Sequence, residues 1–114
     1  MIINKTRDIR IADSYIKCDS FFSKLIGMMF KSKAEPLIFF NKHENKLNLH
    51  SFFCPEMDLI FLNWNYKIIE IKENWKPWGF YQSKNKVKYL LELPAGTISK
   101  SKTEVGDIIE FSVL

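Results

Sequence analysis

His50, Asp58, Lys88 and Glu92 are the side chains whose types and spacing permit proton transfer or ligand binding in this chain. His50 and Asp58 flank a Cys54-Pro55 break, and side by side they would form an acid–base couple. Such a couple also needs a nucleophile or a bound water. On a regular extended segment Ser51 points away from His50. A hydrolytic or acid–base enzyme is therefore the third reading, and no catalytic residue is assigned. His50, Phe52 and Cys54 alternate and share one face if extended, with Cys18 and His43 as further conceivable ligands. Zinc sites use recognisable four-ligand spacings, and neither Cys-x-x-Cys nor His-x-x-x-His occurs. A hydrogen-bonded His beside a buried thiol is the simpler reading, so neither a metal nor a cofactor is expected.

Glu92 shares a strand face with Lys88 and precedes the bend Pro94-Ala95-Gly96. Lining a cleft, Glu92 would be a ligand or acid–base group; otherwise it pairs with Lys88 or with turn amides. Gly96 and Thr97 present N–H groups suited to an anion, but the longer Gly-rich nucleotide signatures are absent, and a plain turn fits as well. Downstream of Lys72, Trp75-Lys76-Pro77-Trp78-Gly79-Phe80-Tyr81 interleaves aromatics with cations and leads to Lys84. Trp75, Trp78 and Tyr81 are the aromatic-surface candidates. They suit stacking of single-stranded nucleic acid, a protein contact, or the covering of a core. Exposure decides among these.

The elements that must position these groups are mostly strands. Ile9/Ile11 alternates, and Leu37–Phe40, Leu47–Phe53, Asp58–Asn63 and Lys67–Ile71 are extended runs. Asn63–Tyr66 reads as a hairpin turn and Asn41–Lys46 as a polar loop. Val87, Tyr89, Leu91 and Leu93 alternate most clearly, opposite Lys88, Leu90 and Glu92. One helix is expected over about Ser20–Phe30, capped by Asp19 or Ser20, with Gly27 inside and Met28 and Met29 toward a core. A helical turn is expected near Thr97–Lys102, and Gly106-Asp107 turns into a last strand. Seven or eight strands with one short helix imply a mainly β fold, a small barrel or two-sheet sandwich.

At 114 residues and 46% hydrophobic composition, residues 1–114 make one globular domain. The net charge of +4 resides in Lys: only Arg7 and Arg10 are arginines. Arg is the preferred bidentate phosphate contact, so nucleic acid is permitted but not favoured as a partner. Two cysteines do not make a disulfide framework, and both are read as reduced thiols in a cytoplasmic protein. Met1–Asp8 holds no long apolar run, and no stretch is long enough to span a bilayer, so neither a leader nor a membrane partner is expected. A monomer or small homo-oligomer is expected.

Three segments together are distinctive: Leu25-Ile26-Gly27-Met28-Met29-Phe30-Lys31; His50-Ser51-Phe52-Phe53 running into Asp58-Leu59-Ile60-Phe61-Leu62; and Leu91-Glu92-Leu93-Pro94-Ala95-Gly96 with Gly106-Asp107 downstream. In order and spacing the chain resembles domain-of-unknown-function family 192, also catalogued as uncharacterised protein family 0127, over about residues 15–113. The segment from His50 resembles the archaeal style, Cys18 takes the place of a small residue, and Lys31 replaces the family's usual Arg. The resemblance implies a small, mainly β domain with a short helix on its core, and it carries over no catalytic residue. The functional expectation is a small cytosolic binding or accessory domain. Its small-molecule or anion cleft would lie near Glu92, Gly96 and the His50 strand. The alternative is a weak single-stranded nucleic-acid binder through residues 72–84.

Overall fold

The computed structural model describes residues 1–18 and 32–112. The expected helix over Ser20–Phe30, with Gly27, Met28, Met29 and Lys31, lies outside the described residues.

Ten strands are described: β1 (Ile2–Asn4), β2 (Ile9–Ala12), β3 (Ile16–Cys18), β4 (Leu37–Asn45), β5 (Asn48–His50), β6 (Met57–Leu62), β7 (Ile68–Trp75), β8 (Phe80–Gln82), β9 (Val87–Pro94) and β10 (Ile109–Phe111). One short helix, α1 (Thr97–Ser101), sits between β9 and β10. The central sheet has the order β3-β4-β9-β6-β7, a second sheet has the order β10-β1-β2, and β5 pairs with β8 in a two-stranded ribbon. Among the described residues these sheets are open, so the sandwich form of the expectation fits and the barrel form does not. No helix among the described residues is long and apolar enough to cross a membrane.

Strand β6 explains why the central sheet is central. All six of its residues are buried, as expected of a strand covered on both faces. Met57, Leu59 and Phe61 pack with Leu49 and Trp75 in one core. Ile60 and Leu62 pack with Ile2, Ile98 and Phe111 in another. The period-two alternation of side chains thus splits one sequence run between two cores. The β5–β8 ribbon closes the first, and the β10-β1-β2 sheet with α1 closes the second.

Two expectations are corrected. Asn41–Lys46 is not a loop: β4 runs on to Asn45, with a register irregularity between Phe40 and Asn45. The strand survives its polar residues because the Asn41 amide donates to the Val87 carbonyl at 2.8 Å, and Lys88 donates to the Asn41 and Lys42 carbonyls. The aromatic loop after Trp75 is likewise shorter than expected, because Phe80–Gln82 forms β8 against β5.

The β1 end is locked by a polar cluster. The Asp107 carboxylate accepts from the Asn4 amide at 2.9 Å, the Arg7 Nε–H at 2.7 Å and the Glu104 N–H at 3.0 Å. Burial alone would raise the Asp107 carboxyl, but hydrogen bonds from Asn4 and Arg7 outweigh it and hold it below the usual carboxylate range. The Gly106-Asp107 pair therefore ties the C-terminal strand to the first.

Candidate functional site

The Pro94–Gly96 bend is set by its surroundings. Gly96 has φ 92°, a conformation that favours glycine, and precedes α1. The bend is fastened from below by Asp58, which is fully buried on the second face of β6. One carboxylate oxygen accepts the Ile98 N–H at 2.8 Å, and the other accepts the Asn74 N–H at 2.8 Å. Asn74 has φ 51°, so this bond also holds a left-handed kink in β7. Thr97 Oγ1 donates to the Pro94 carbonyl at 2.6 Å, completing the bend.

Above this bend, α1 faces β2 across a cleft of about 530 Å³. Ile9, Ile11 and Ala95 give it apolar walls, and Arg10 and Lys100 give it cations from two elements; no Asp or Glu lines it. Arg10 also holds exposed Asp13 at 3.0 Å. Of the expected ligand residues, Gly96 lines this cleft.

The others lie elsewhere. Register pairs Asp58 with Leu93 and Leu59 with Glu92, so Asp58 and Glu92 project from opposite faces of the central sheet. Glu92 faces the first core, where burial and then the Glu92 charge push the Cys54 thiol up to about 11. Lys88 is drawn to the β4 carbonyls, with its ammonium 4.2 Å from the centre of the Trp64 ring and 5.5 Å from that of Tyr89. His50 is exposed on β5, and its Nδ1 accepts the Phe52 N–H at 3.4 Å. The structure does not bring His50, Asp58 and Glu92 together. Nor do His50, Phe52 and Cys54 share an extended face. The chain turns at Phe53 (φ 61°), and Cys54 Sγ donates to the Phe52 carbonyl at 3.3 Å. Among the described residues no group of three or more His, Cys, Asp or Glu is placed to hold a metal ion.

The aromatic candidates divide. Trp75 is core, 5% exposed. Tyr81 stacks on Phe61 and donates its hydroxyl to Glu70. Burial, then the Glu70 hydrogen bond and charge, raise that phenol to about 12. Trp78 is 60% exposed and packs against Phe52 and Phe53 at ring-centre distances of 5.4 and 4.7 Å. Phe80 joins them through Phe52 at 5.1 Å.

Ser51 organises this cluster. It is fully buried; its Oγ donates to the Lys76 carbonyl at 2.6 Å and accepts the Gly79 N–H at 2.8 Å. Its own carbonyl accepts the Cys54 and Trp78 N–H groups, both at 3.1 Å. Sequence reading missed Arg10, Lys100, Ser51 and the exposed rings of Phe53 and Phe80. Arg10 and Lys100 lie ninety residues apart in the chain, with no local pattern linking them. His50-Ser51-Phe52-Phe53, by contrast, carried a legible signal of aromatic density.

A curated relative from Pyrococcus horikoshii, UPF0127 protein PH1112, is 34% identical over 97% of this chain and 98% of its own length. UPF0127 protein PF1050 of Pyrococcus furiosus is 35% identical over 96% and 95%. Among solved structures, a protein of unknown function from Novosphingobium aromaticivorans shares the fold with a TM-score of 0.79. It is 17% identical, over 85% of this chain and 74% of that one. A chain from Sinorhizobium meliloti 1021, described as a proposed transcription regulator, also gives 0.79, with 22% identity over 84% of this chain and 79% of its own. At these identities the structural likenesses show the fold alone. The family model DUF192, described as "Uncharacterized ACR, COG1430", matches residues 3–111, and the chain belongs to that family.

Proposed function

We propose that this chain is a binding domain for a small anionic molecule, held in the cleft between β2 and the Pro94–Ser101 segment. The observation that carries the reading is that Arg10 of β2 and Lys100 of α1 line one cleft whose lining holds no carboxylate. Concave sites with apolar walls and a few convergent polar groups are the usual form of ligand pockets. Arg supplies a planar fork for a carboxylate or phosphate, and Lys a mobile point charge. Ile9, Ile11 and Ala95 suit a ligand with an apolar portion beside its anionic group. A cytoplasmic setting accords with Cys18 and Cys54 not forming a disulfide.

Thermal unfolding with pyrophosphate and with succinate as probes tests this. A ligand that binds only the folded state raises the melting temperature with its concentration. A concentration-dependent rise with either probe is expected, and Arg10→Ala with Lys100→Ala should abolish it. No rise with both probes, or an equal rise in the double variant, refutes the reading.

A further inference from the structure

The outer face of the β5–β8 ribbon is a second surface, separate from the cleft. Register pairs His50 with Phe80 and Asn48 with Gln82, so these four side chains share the outward face while Leu49 and Tyr81 turn inward. At the His50 end stand the rings of Phe53, Trp78 and Phe80, exposed by 48%, 60% and 77%. At the other end the Leu47–Ser83 pairing places Lys46 and Lys84 beside the ribbon. The ribbon between the two ends measures about 13 Å at the usual strand rise.

Two features set this face apart from incidental apolar exposure. The first is preorganisation. Phe53 and Trp78 have φ 61° and 64°, a left-handed conformation uncommon for bulky side chains. Trp78 and Cys54, the residue after Phe53, are bonded to the Ser51 carbonyl. Gly79 is fitted against the buried Trp75: a Cβ there would come within 3.1 Å of Trp75 Nε1. The chain thus holds bulky rings outward in conformations that local sterics disfavour.

The second feature is charge. Residues 45–55 and 74–88 contain no Asp or Glu, yet carry Lys46, Lys76, Lys84, Lys86 and Lys88. Lys88 is buried against β4, and Lys76 is paired with Glu56 at 3.0 Å. Lys46, Lys84 and Lys86 are exposed. Glu70 reaches the Lys84 N–H from beneath, but it is 7% exposed. Exposed rings at one end and exposed ammonium groups at the other complement a polyanion that carries flat bases.

We propose that this face docks single-stranded nucleic acid, with bases stacking on Trp78 and Phe80 and phosphates reaching Lys46, Lys84 and Lys86. Sequence-tolerant binding of this kind rests on stacking plus backbone charge.

The test is fluorescence anisotropy of a labelled oligo-dT strand, with unlabelled oligo-dT and polyglutamate as competitors. Trp78→Asn suits the left-handed backbone, and Phe80→Ser removes the most exposed ring. Unchanged melting curves establish that both variants fold. Their combination should weaken binding at least about tenfold. Lys84→Gln with Lys86→Gln should flatten the log–log salt slope by roughly 1.4. The proposal is overturned if no binding occurs at low salt, or if the ring variants bind as tightly as the parent. It is also overturned if polyglutamate displaces the strand as well as oligo-dT does, which would mark an acidic protein as the partner.

Discussion

Replacing Asp58 tests whether the carboxylate is the fastener of the cleft. In the folded chain its two oxygens each accept one backbone N–H at 2.8 Å, from Asn74 and Ile98. Asp58→Ala removes both acceptors. A buried donor left without a partner costs about 1–3 kcal/mol. Ile98 is 2% exposed and bears the full penalty. Asn74 is exposed, so its N–H regains water and bears less. Removing a buried carboxylate also relieves its own desolvation. The net expectation is a loss of about 1–3 kcal/mol, which corresponds to a fall in Tm of about 5–15 °C for a domain of this size. Asp58→Asn keeps one acceptor and turns an N–H₂ toward the other donor, so its loss should be intermediate. Urea unfolding followed by tryptophan fluorescence is the assay, with the midpoint lowered and the slope unchanged. Native-state hydrogen exchange should show the Ile98 amide exchanging faster in both variants. A loss below about 0.5 kcal/mol, the range of inert surface changes, would refute the fastening role.

Other predictions follow from the same geometry. The Asp107 carboxyl is held low in the folded state, so its stabilisation is present above the unfolded pKa and is lost as pH falls through the lower folded value. Asp107→Asn should therefore flatten the acid limb of a stability–pH curve measured by urea unfolding. Tyr81 is raised to about 12, so its contribution is intact below the unfolded value and disappears as pH rises through about 12; burial and the Tyr66 hydrogen bond raise Tyr89 to about 12 as well, so absorbance titration should find both titrating late, and Glu70→Gln should bring only Tyr81 earlier. The Cys54 thiol, raised to about 11, should alkylate slowly with iodoacetamide at mildly alkaline pH, and Glu92→Gln should speed it. Gly79→Ala presses a methyl on the buried Trp75 indole and should cost about 1–3 kcal/mol by overpacking, read as a lowered urea midpoint.

The legible parts of the fold were those with local periodicity. The run Asp58–Asn63, apolar over Leu59–Leu62, and the alternating Val87–Leu93 became β6 and β9, and the Asn63–Tyr66 turn joins β6 to β7 with Tyr66 N–H on the Asn63 carbonyl at 3.0 Å. The helical turn after Gly96 also follows the residues that start it. The parts that escaped are non-local. Asn41–Asn45 has a polar sequence, and it is extended because Val87 and Lys88, more than forty residues away, bond its groups. Strand β8 hides among Pro77, Trp78 and Gly79 because its partner β5 lies some thirty residues earlier. The candidate cleft is less legible still. Gly96 was visible as a bend, but Arg10 and Lys100 line one cleft only because β2 and α1 pack on the same side of the central sheet.

The most direct test of the anion cleft is an amide-resolved NMR titration of the labelled protein with pyrophosphate, repeated with succinate. The account predicts saturable shifts confined to Ile9–Ile11 and the 95–101 segment, and their loss in the Arg10→Ala, Lys100→Ala double variant. No saturable shift with either probe, or shifts at the cleft that persist undiminished in the double variant, would contradict it.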